Sequence, residues 1–325
     1  MQNSSQGAPI APFRAGGKTL VIILGPTAVG KTSVAIDVAK ELGTEIISAD
    51  SRQFFREMNI GTAKPSEEQL KEVKHHFINS LSVTDDYNVG MFERDALNVL
   101  EKIFQKNNTA VMAGGSGLYI NAVCNGFDEV PQADKEVRAN LTALYKEYGI
   151  EELQQQLKEL DPEHYRKVDI KNPHRLIRAI EVCMVTGKPY SEFRKKDSSP
   201  NGGGREGAAF TTIKIGLELG REELYKRINA RVDEMMKSGL LEEVKSLKAH
   251  SHRNSLHTVG YKELFDFFEG KYDISRTVEH IKQSTRNYAK RQMTWFRKDK
   301  EIKWFDAHNT KAVIDFVKNQ VANSH

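Results

Sequence analysis

The sequence predicts an α/β protein, a parallel sheet flanked by helices with a helical insertion, and three observations carry that prediction. The first is an apolar, β-branched run, Thr19-Leu20-Val21-Ile22-Ile23-Leu24, followed at once by Gly25-Pro26-Thr27-Ala28-Val29-Gly30-Lys31-Thr32. The octet fills every fixed position of the phosphate-cradling pattern G-x-x-x-x-G-K-[ST], and Val34, Val38 and Leu42 then recur at helical spacing up to Gly43. The second is the return of short strand-like runs, Thr44–Asp50, Thr109–Ala113, Thr211–Leu217 and Ile302–Phe305, between stretches of helical periodicity. The third is the loss of strand patterning from Pro131 to about Arg194, where Val137, Leu141, Leu144 and Tyr145, and then Leu153, Leu157 and Leu160, mark helices. Together they give a P-loop NTPase-like parallel sheet flanked by helices, built from residues 18–130 and 205–325, with a helical insertion domain over 131–204 and a loose tail over 1–17.

Composition narrows the class without naming it. The chain has 325 residues, 39% hydrophobic and 28% charged, which suits a globular protein and excludes fibrous or disordered classes. The longest apolar run, around Leu20–Leu24, is too short to cross a bilayer, and no charged region followed by a long apolar segment opens the chain. Two cysteines, Cys124 and Cys183, stand far apart with no metal-binding spacing, so neither a zinc site nor a disulfide framework is expected and a reducing cytoplasm is. The net charge is only +4, but basic residues thicken toward the C-terminal half, which permits a polyanionic partner.

In chain order, the loop from Gly25 to Thr32 points backbone N–H groups and a helix N-terminus at a phosphate, with Lys31 as a mobile cation and the Thr32 hydroxyl as a candidate Mg²⁺ ligand. Read alone, it is an ATP-binding motif. The run Thr44–Asp50 ends in a carboxylate, and in an open parallel sheet ligands sit outside the carboxyl ends of the strands, so Asp50 is expected beside whatever Lys31 holds. A helix cap or turn is the ordinary alternative for such an Asp. Ser51, Arg52 and Gln53 follow and reach the same ligand. His75–Asn79 gives a third strand, Val89–Gln105 a helix, and Gly114-Gly115-Ser116-Gly117 a turn suited either to close approach of a ligand or to tight packing. Arg175 and Arg178 lie three apart on one helical face, which solvation or a phosphate-binding surface explains. Asp197–Gly204 is a flexible surface loop. A helix from Arg221 carries Arg227 and Arg231 at i and i+4, and like charges so placed suggest a nearby anion. Arg286–Lys298 interleaves basic and aromatic residues on a helix, a pattern that grips nucleic acid or else turns its aromatics into the core. No repeat of fixed period is found.

Five segments in this order, Gly25–Thr32, Ile47–Gln53, Ile60–Pro65, Gly114–Tyr119 and Thr258–Tyr261, resemble the bacterial tRNA dimethylallyltransferases, and the similarity runs from about Lys18 to Phe305. That family moves a dimethylallyl group from its diphosphate to N6 of the adenine 3′ to the anticodon, in tRNAs reading codons that start with U. The resemblance implies that Gly25, Pro26, Thr27, Ala28, Val29, Gly30, Lys31 and Thr32 hold dimethylallyl diphosphate with Mg²⁺ on Thr32. It makes Asp50 the general base and gives Ser116 and Arg227 the departing pyrophosphate. It implies contacts to the tRNA anticodon stem-loop by Asp50, Ser51, Arg52, Gln53, Ser116, Arg138, His174, Arg175, Leu176, Ile177, Arg178, His257, Thr258, Val259, Gly260 and Tyr261. A cytoplasmic monomer acting away from membranes is expected. The chain departs from the family pattern at Ser116, where Thr is more usual, at Phe54 and Phe55 for an aliphatic-Tyr pair, at Glu57 for Gly and at His174 for Gln. The rival functions are a small-molecule kinase, a non-catalytic RNA-binding protein and a prenyltransferase acting on free AMP. The first would bring an arginine-rich lid that the sequence does not display.

Overall fold

A computed structural model describes residues 17–126, 134–193 and 210–323, and these fall into two compact units, one of residues 17–126 and 210–323, the other of residues 134–193. The tail, the Asp197–Gly204 stretch and Pro131–Ala133 lie outside the described residues.

In the first unit the chain forms β1 (Thr19–Leu24), α1 (Lys31–Glu41), β2 (Ile46–Ser48), α2 (Glu67–Glu72), β3 (His75–His76), α3 (Val89–Phe104), β4 (Thr109–Gly114) and α4 (Gly117–Asn125). The second unit holds α5 (Lys135–Tyr148), α6 (Ile150–Leu160), α7 (Pro162–Tyr165), α8 (Pro173–Thr186) and α9 (Tyr190–Phe193). The first unit resumes with β5 (Thr211–Glu218), α10 (Arg221–Lys237), α11 (Leu240–Ser246), α12 (Tyr261–Phe268), α13 (Ile274–Phe296), β6 (Lys303–Asp306) and α14 (Thr310–Ala322).

Every strand pair is parallel, in the order β3-β2-β4-β1-β5-β6. β1 lies central, and all six of its residues are buried. Leu20, Ile22 and Leu24 join one core cluster while Val21 and Ile23 join another, so alternate side chains feed opposite faces, as a sheet covered on both sides requires. The third strand is shorter than its sequence suggests. Phe77 and Asn79 take φ of 63° and 55°, left-handed values that end the extended run after His76. Asn88 caps α3 by accepting the Met91 N–H, and Asp273 caps α13 by accepting the Arg276 N–H.

The helical unit packs on Leu141, Leu153, Leu157, Leu176, Ile177, Ala179 and Ile180. Asn172 and Pro173 start α8, the first as cap and the second where no N–H is needed. Leu160, expected on the apolar face of α6, is instead exposed. Among the described residues no helix is long and apolar enough to cross a membrane.

Candidate active site

The loop between β1 and α1 is shaped by its glycines. Gly25 has φ +149°, and a Cβ there would stand 2.6 Å from the Leu217 carbonyl oxygen, so a side chain would force the loop off β5. Gly30 has φ +109° and opens α1. Lys31 folds back over the loop, its Nζ donating to the carbonyls of Gly25 at 3.0 Å and Pro26 at 2.7 Å. Burial pushes its ammonium down to about 8; the Asp50 charge acts against that shift and the Arg231 charge adds to it. A phosphate entering the loop offers Lys31 better acceptors than two neutral carbonyls.

Asp50 follows β2 and stands at the meeting of two spaces. One is a recess of about 50 Å³ walled by Lys31, Thr32, Ser48, Gln53 and His75. The other is a cavity of about 510 Å³, whose lining includes Thr27, Ser51, Arg52, Arg231, Tyr288 and Arg291. Asp50 lines both. Its Oδ1 accepts the Arg52 N–H at 3.1 Å, the turn that fixes the carboxylate at the strand end. Burial, with the Asp50 charge behind it, pushes the Tyr288 phenol up to about 12, so it stays neutral and able to donate. The hard hydroxyl oxygen of Thr32 at the small recess suits Mg²⁺ shared with substrate phosphates, with the Asp50 carboxylate on the same wall to attract the cation.

Several expected site residues have other work. Ser116 accepts the Ser51 N–H at 3.1 Å and its Oγ donates to Ser51 Oγ at 3.3 Å, so it braces the turn after Asp50. The glycines around it serve packing. A Cβ on Gly114 would lie 2.2 Å from Ala49 O, on Gly115 2.3 Å from Gln292 Nε2, and on Gly117 2.3 Å from Trp295 Nε1. Gln53 gives its amide to the carbonyls of Thr62 and Ala63 at 3.2 Å each, holding the loop that lines the larger cavity. Arg227 lies nearer the surface. Its guanidinium pairs with Glu223 at 2.7 Å and meets His308 at 2.9 Å, while Arg231, one turn on, enters the cavity. His257, Thr258, Val259 and Gly260 line that cavity. Tyr261 does not: it is fully buried, its hydroxyl on Glu243 at 2.6 Å and its ring against Gly61.

In the helical unit, His174 and Arg175 are exposed, but Leu176 and Ile177 belong to the core and cannot present side chains to a partner. Arg138 and Arg178 converge on the buried Glu181 at 2.6 and 3.0 Å, so Arg178 is turned from the face that Arg175 occupies. The basic-aromatic helix divides between its two expected roles. Tyr288 and Arg291 line the cavity, Phe296 is buried, and Trp295 is exposed beside Lys298 in an open groove. Sequence reasoning passed over Glu243, Tyr288 and Gln292 as site-building residues. Tyr288 and Gln292 were signalled only as members of the basic-aromatic segment, and Glu243 only by its place on a helix.

A glycine-rich phosphate loop at the carboxyl end of a parallel sheet, with a carboxylate shared between the phosphate recess and a larger second cavity, defines a P-loop-fold protein that brings a phosphorylated substrate to a second one. The family model described as IPP transferase matches residues 53–299, and the chain belongs to that family. The chain is 50% identical over 303 residues to the tRNA dimethylallyltransferase of Christiangramia forsetii, covering 93% of this chain and 98% of that one. It is 44% identical to tRNA dimethylallyltransferase 1 of Bacteroides fragilis, covering 94% and 99%. Among solved structures, the full-length tRNA isopentenylpyrophosphate transferase of Bacillus halodurans superposes with TM-score 0.68 at 34% identity, over 94% of this chain and 98% of that one. A eukaryotic dimethylallyltransferase acting on tRNA shares the fold, at TM-score 0.79 and 24% identity, over 94% and 80%.

Proposed function

We infer that this protein is a tRNA dimethylallyltransferase, moving the dimethylallyl group of dimethylallyl diphosphate to N6 of the adenine 3′ to the anticodon in tRNAs reading codons that start with U. The observation that carries the reading is Asp50, which lines both the phosphate recess and the larger cavity. The adenine leaves its stack and enters the larger cavity, where Arg52, Tyr288 and the 257–260 loop surround it. Its N6 attacks C1 of the dimethylallyl group. The C1–O bond breaks, its electron pair leaves with pyrophosphate, and Asp50 takes the N6 proton.

Charge developing on the leaving oxygens is met by the N–H groups of Ala28 to Thr32, by Lys31 released from its two carbonyls, and by Arg231 at the cavity wall. When bound, Mg²⁺ held by the Thr32 hydroxyl would add Lewis-acid stabilisation of the same phosphates. Arg138, His174 and Arg175 supply sequence-independent contacts to the tRNA backbone. The enzyme is proposed to work as a cytoplasmic monomer.

Incubation with dimethylallyl diphosphate, Mg²⁺ and either unmodified tRNA or AMP, followed by mass spectrometry of nucleosides, tests the reading. The expected product is N6-(dimethylallyl)adenosine in tRNA, with pyrophosphate in equal amount. Prenylation of AMP alone, or ATP turnover with no transfer, contradicts it.

A further inference from the structure

We propose that Gln292 is a positioning residue for prenyl transfer, a side-chain amide that holds the phosphate loop and the Asp50 turn in register. β1, which carries the loop, and β2, which carries Asp50, are not neighbours: β4 lies between them. Two steps of a sheet separate their axes by about 9.6 Å, and ladder hydrogen bonds stop where the strands end. Beyond them the Ser116 N–H reaches the Ala49 carbonyl at 3.2 Å and ties the β4 loop to the Asp50 turn, and the loop after β1 is joined to that pair by a side chain.

Gln292, on α13, provides it from above the sheet. Its Oε1 accepts the Thr27 N–H at 2.9 Å, and its Nε2 donates to the Gly115 carbonyl at 2.9 Å. Gly115 precedes Ser116, whose hydroxyl accepts the Ser51 N–H at 3.1 Å next to Asp50. Thr27 is thus joined to the Asp50 turn through one amide and one hydroxyl. Gln292 as a residue is 7% exposed, which limits the competition of water for these bonds. Gly115 makes room for the amide, since a Cβ there would sit 2.3 Å from Nε2. The polarity is specific as well. One end must accept from an N–H and the other must donate to a C=O, which an amide does and a carboxylate does not.

The inference rests on the reading that the loop holds the diphosphate and Asp50 takes the N6 proton. Reacting atoms must approach to about 3–3.5 Å, and a misplacement of about 1 Å is enough to cost about a hundredfold in rate. Loss of the tie is therefore expected to slow transfer while leaving each substrate's own binding intact.

Single-turnover transfer at saturating dimethylallyl diphosphate and tRNA tests this with Gln292→Met, similar in volume but without the hydrogen bonds, and Gln292→Glu, an isostere unable to donate to Gly115. The expected result is a rate constant at least tenfold below wild type in both, with separately measured Kd values for the two substrates within threefold for Gln292→Met. A variant that only folds poorly lowers the amplitude and leaves the rate constant alone. A rate constant within twofold of wild type, at whatever amplitude, overturns the proposal, as does a deficit that saturating diphosphate removes. Asp50→Asn run in parallel separates the two claims, since full transfer by that variant overturns the underlying reading of the site whatever Gln292 does.

Discussion

Arg227 and Arg231 stand four residues apart on α10, about 6 Å along the helix axis, and that distance decides which one meets the diphosphate. Arg227 is held by Glu223 and His308 at the N-terminal end, whereas Arg231 lines the cavity with Asp50. Steady-state kinetics are expected to show a fall in kcat of about a hundredfold for Arg231→Ala, as when one preorganised donor to a developing anion is lost. Arg227→Ala is expected to remain within about threefold of wild type, because an exposed ion pair contributes little; the reverse order would restore the role that the family resemblance implies. At this scale the sequence was informative where the chemistry is local. Gly25, Lys31, Thr32 and Asp50 were legible because a loop motif and a strand end place them without reference to distant chain. Tyr261, Leu176 and Ile177 were not, because a contiguous segment resembling a binding site still alternates core and surface along a helix.

Loops need anchors, and the segment after β2 has an unusual one. The Glu243 carboxylate of α11 accepts the N–H groups of Asn59 at 2.9 Å, Ile60 at 2.8 Å and Gly61 at 3.1 Å, as well as the Tyr261 hydroxyl at 2.6 Å. Burial and that carboxylate both push the Tyr261 phenol up, keeping it a donor. Glu243→Ala leaves three backbone donors and a buried phenol without their acceptor, so urea denaturation is expected to show a loss of about 2–4 kcal/mol, accompanied by a higher KM for tRNA because Gly61, Thr62 and Ala63 line the cavity. An unchanged denaturation midpoint would contradict that role. The same element accommodates two departures from the family pattern. Phe54 is buried among Phe77, Tyr87, Phe92 and Tyr119, and Glu57 accepts the Ser82 hydroxyl at 2.7 Å and the Val83 N–H at 3.0 Å. None of these long-range partners is visible in local sequence spacing, which is why the helices and strands were legible and the irregular segment between β2 and β3 was not.

For the molecule as a whole, the parallel sheet and the helical unit follow from patterning that the sequence displays openly, apolar runs buried on both faces and a stretch where strands give way to helices, whereas the strand order β3-β2-β4-β1-β5-β6 is set by long-range pairing that no local pattern displays. The phosphate site then leaves a signature on global stability. Lys31 is held down to about 8 in the fold against its ordinary value of 10.5, so between those values the unfolded chain binds more protons and stability rises with pH. The slope from one such group reaches about 1.4 kcal/mol per pH unit. Lys64, buried and likewise lowered to about 8, adds to the wild-type rise, so Lys31→Met is expected to remove only part of it. Urea midpoints from pH 7.5 to 10.5 measure both curves; parallel curves would contradict the assignment. Pyrophosphate binding runs the other way, weakening above about pH 8 as the ammonium loses its proton. The central claim, that Asp50 accepts the N6 proton at the junction of the two cavities, is tested most directly by single-turnover prenyl transfer by Asp50→Asn, with tRNA affinity measured on the same preparation. The account predicts a fall in transfer rate of at least a hundredfold, since general-base catalysis contributes about 10²–10⁴, with tRNA affinity within threefold of wild type; transfer at the wild-type rate would contradict it.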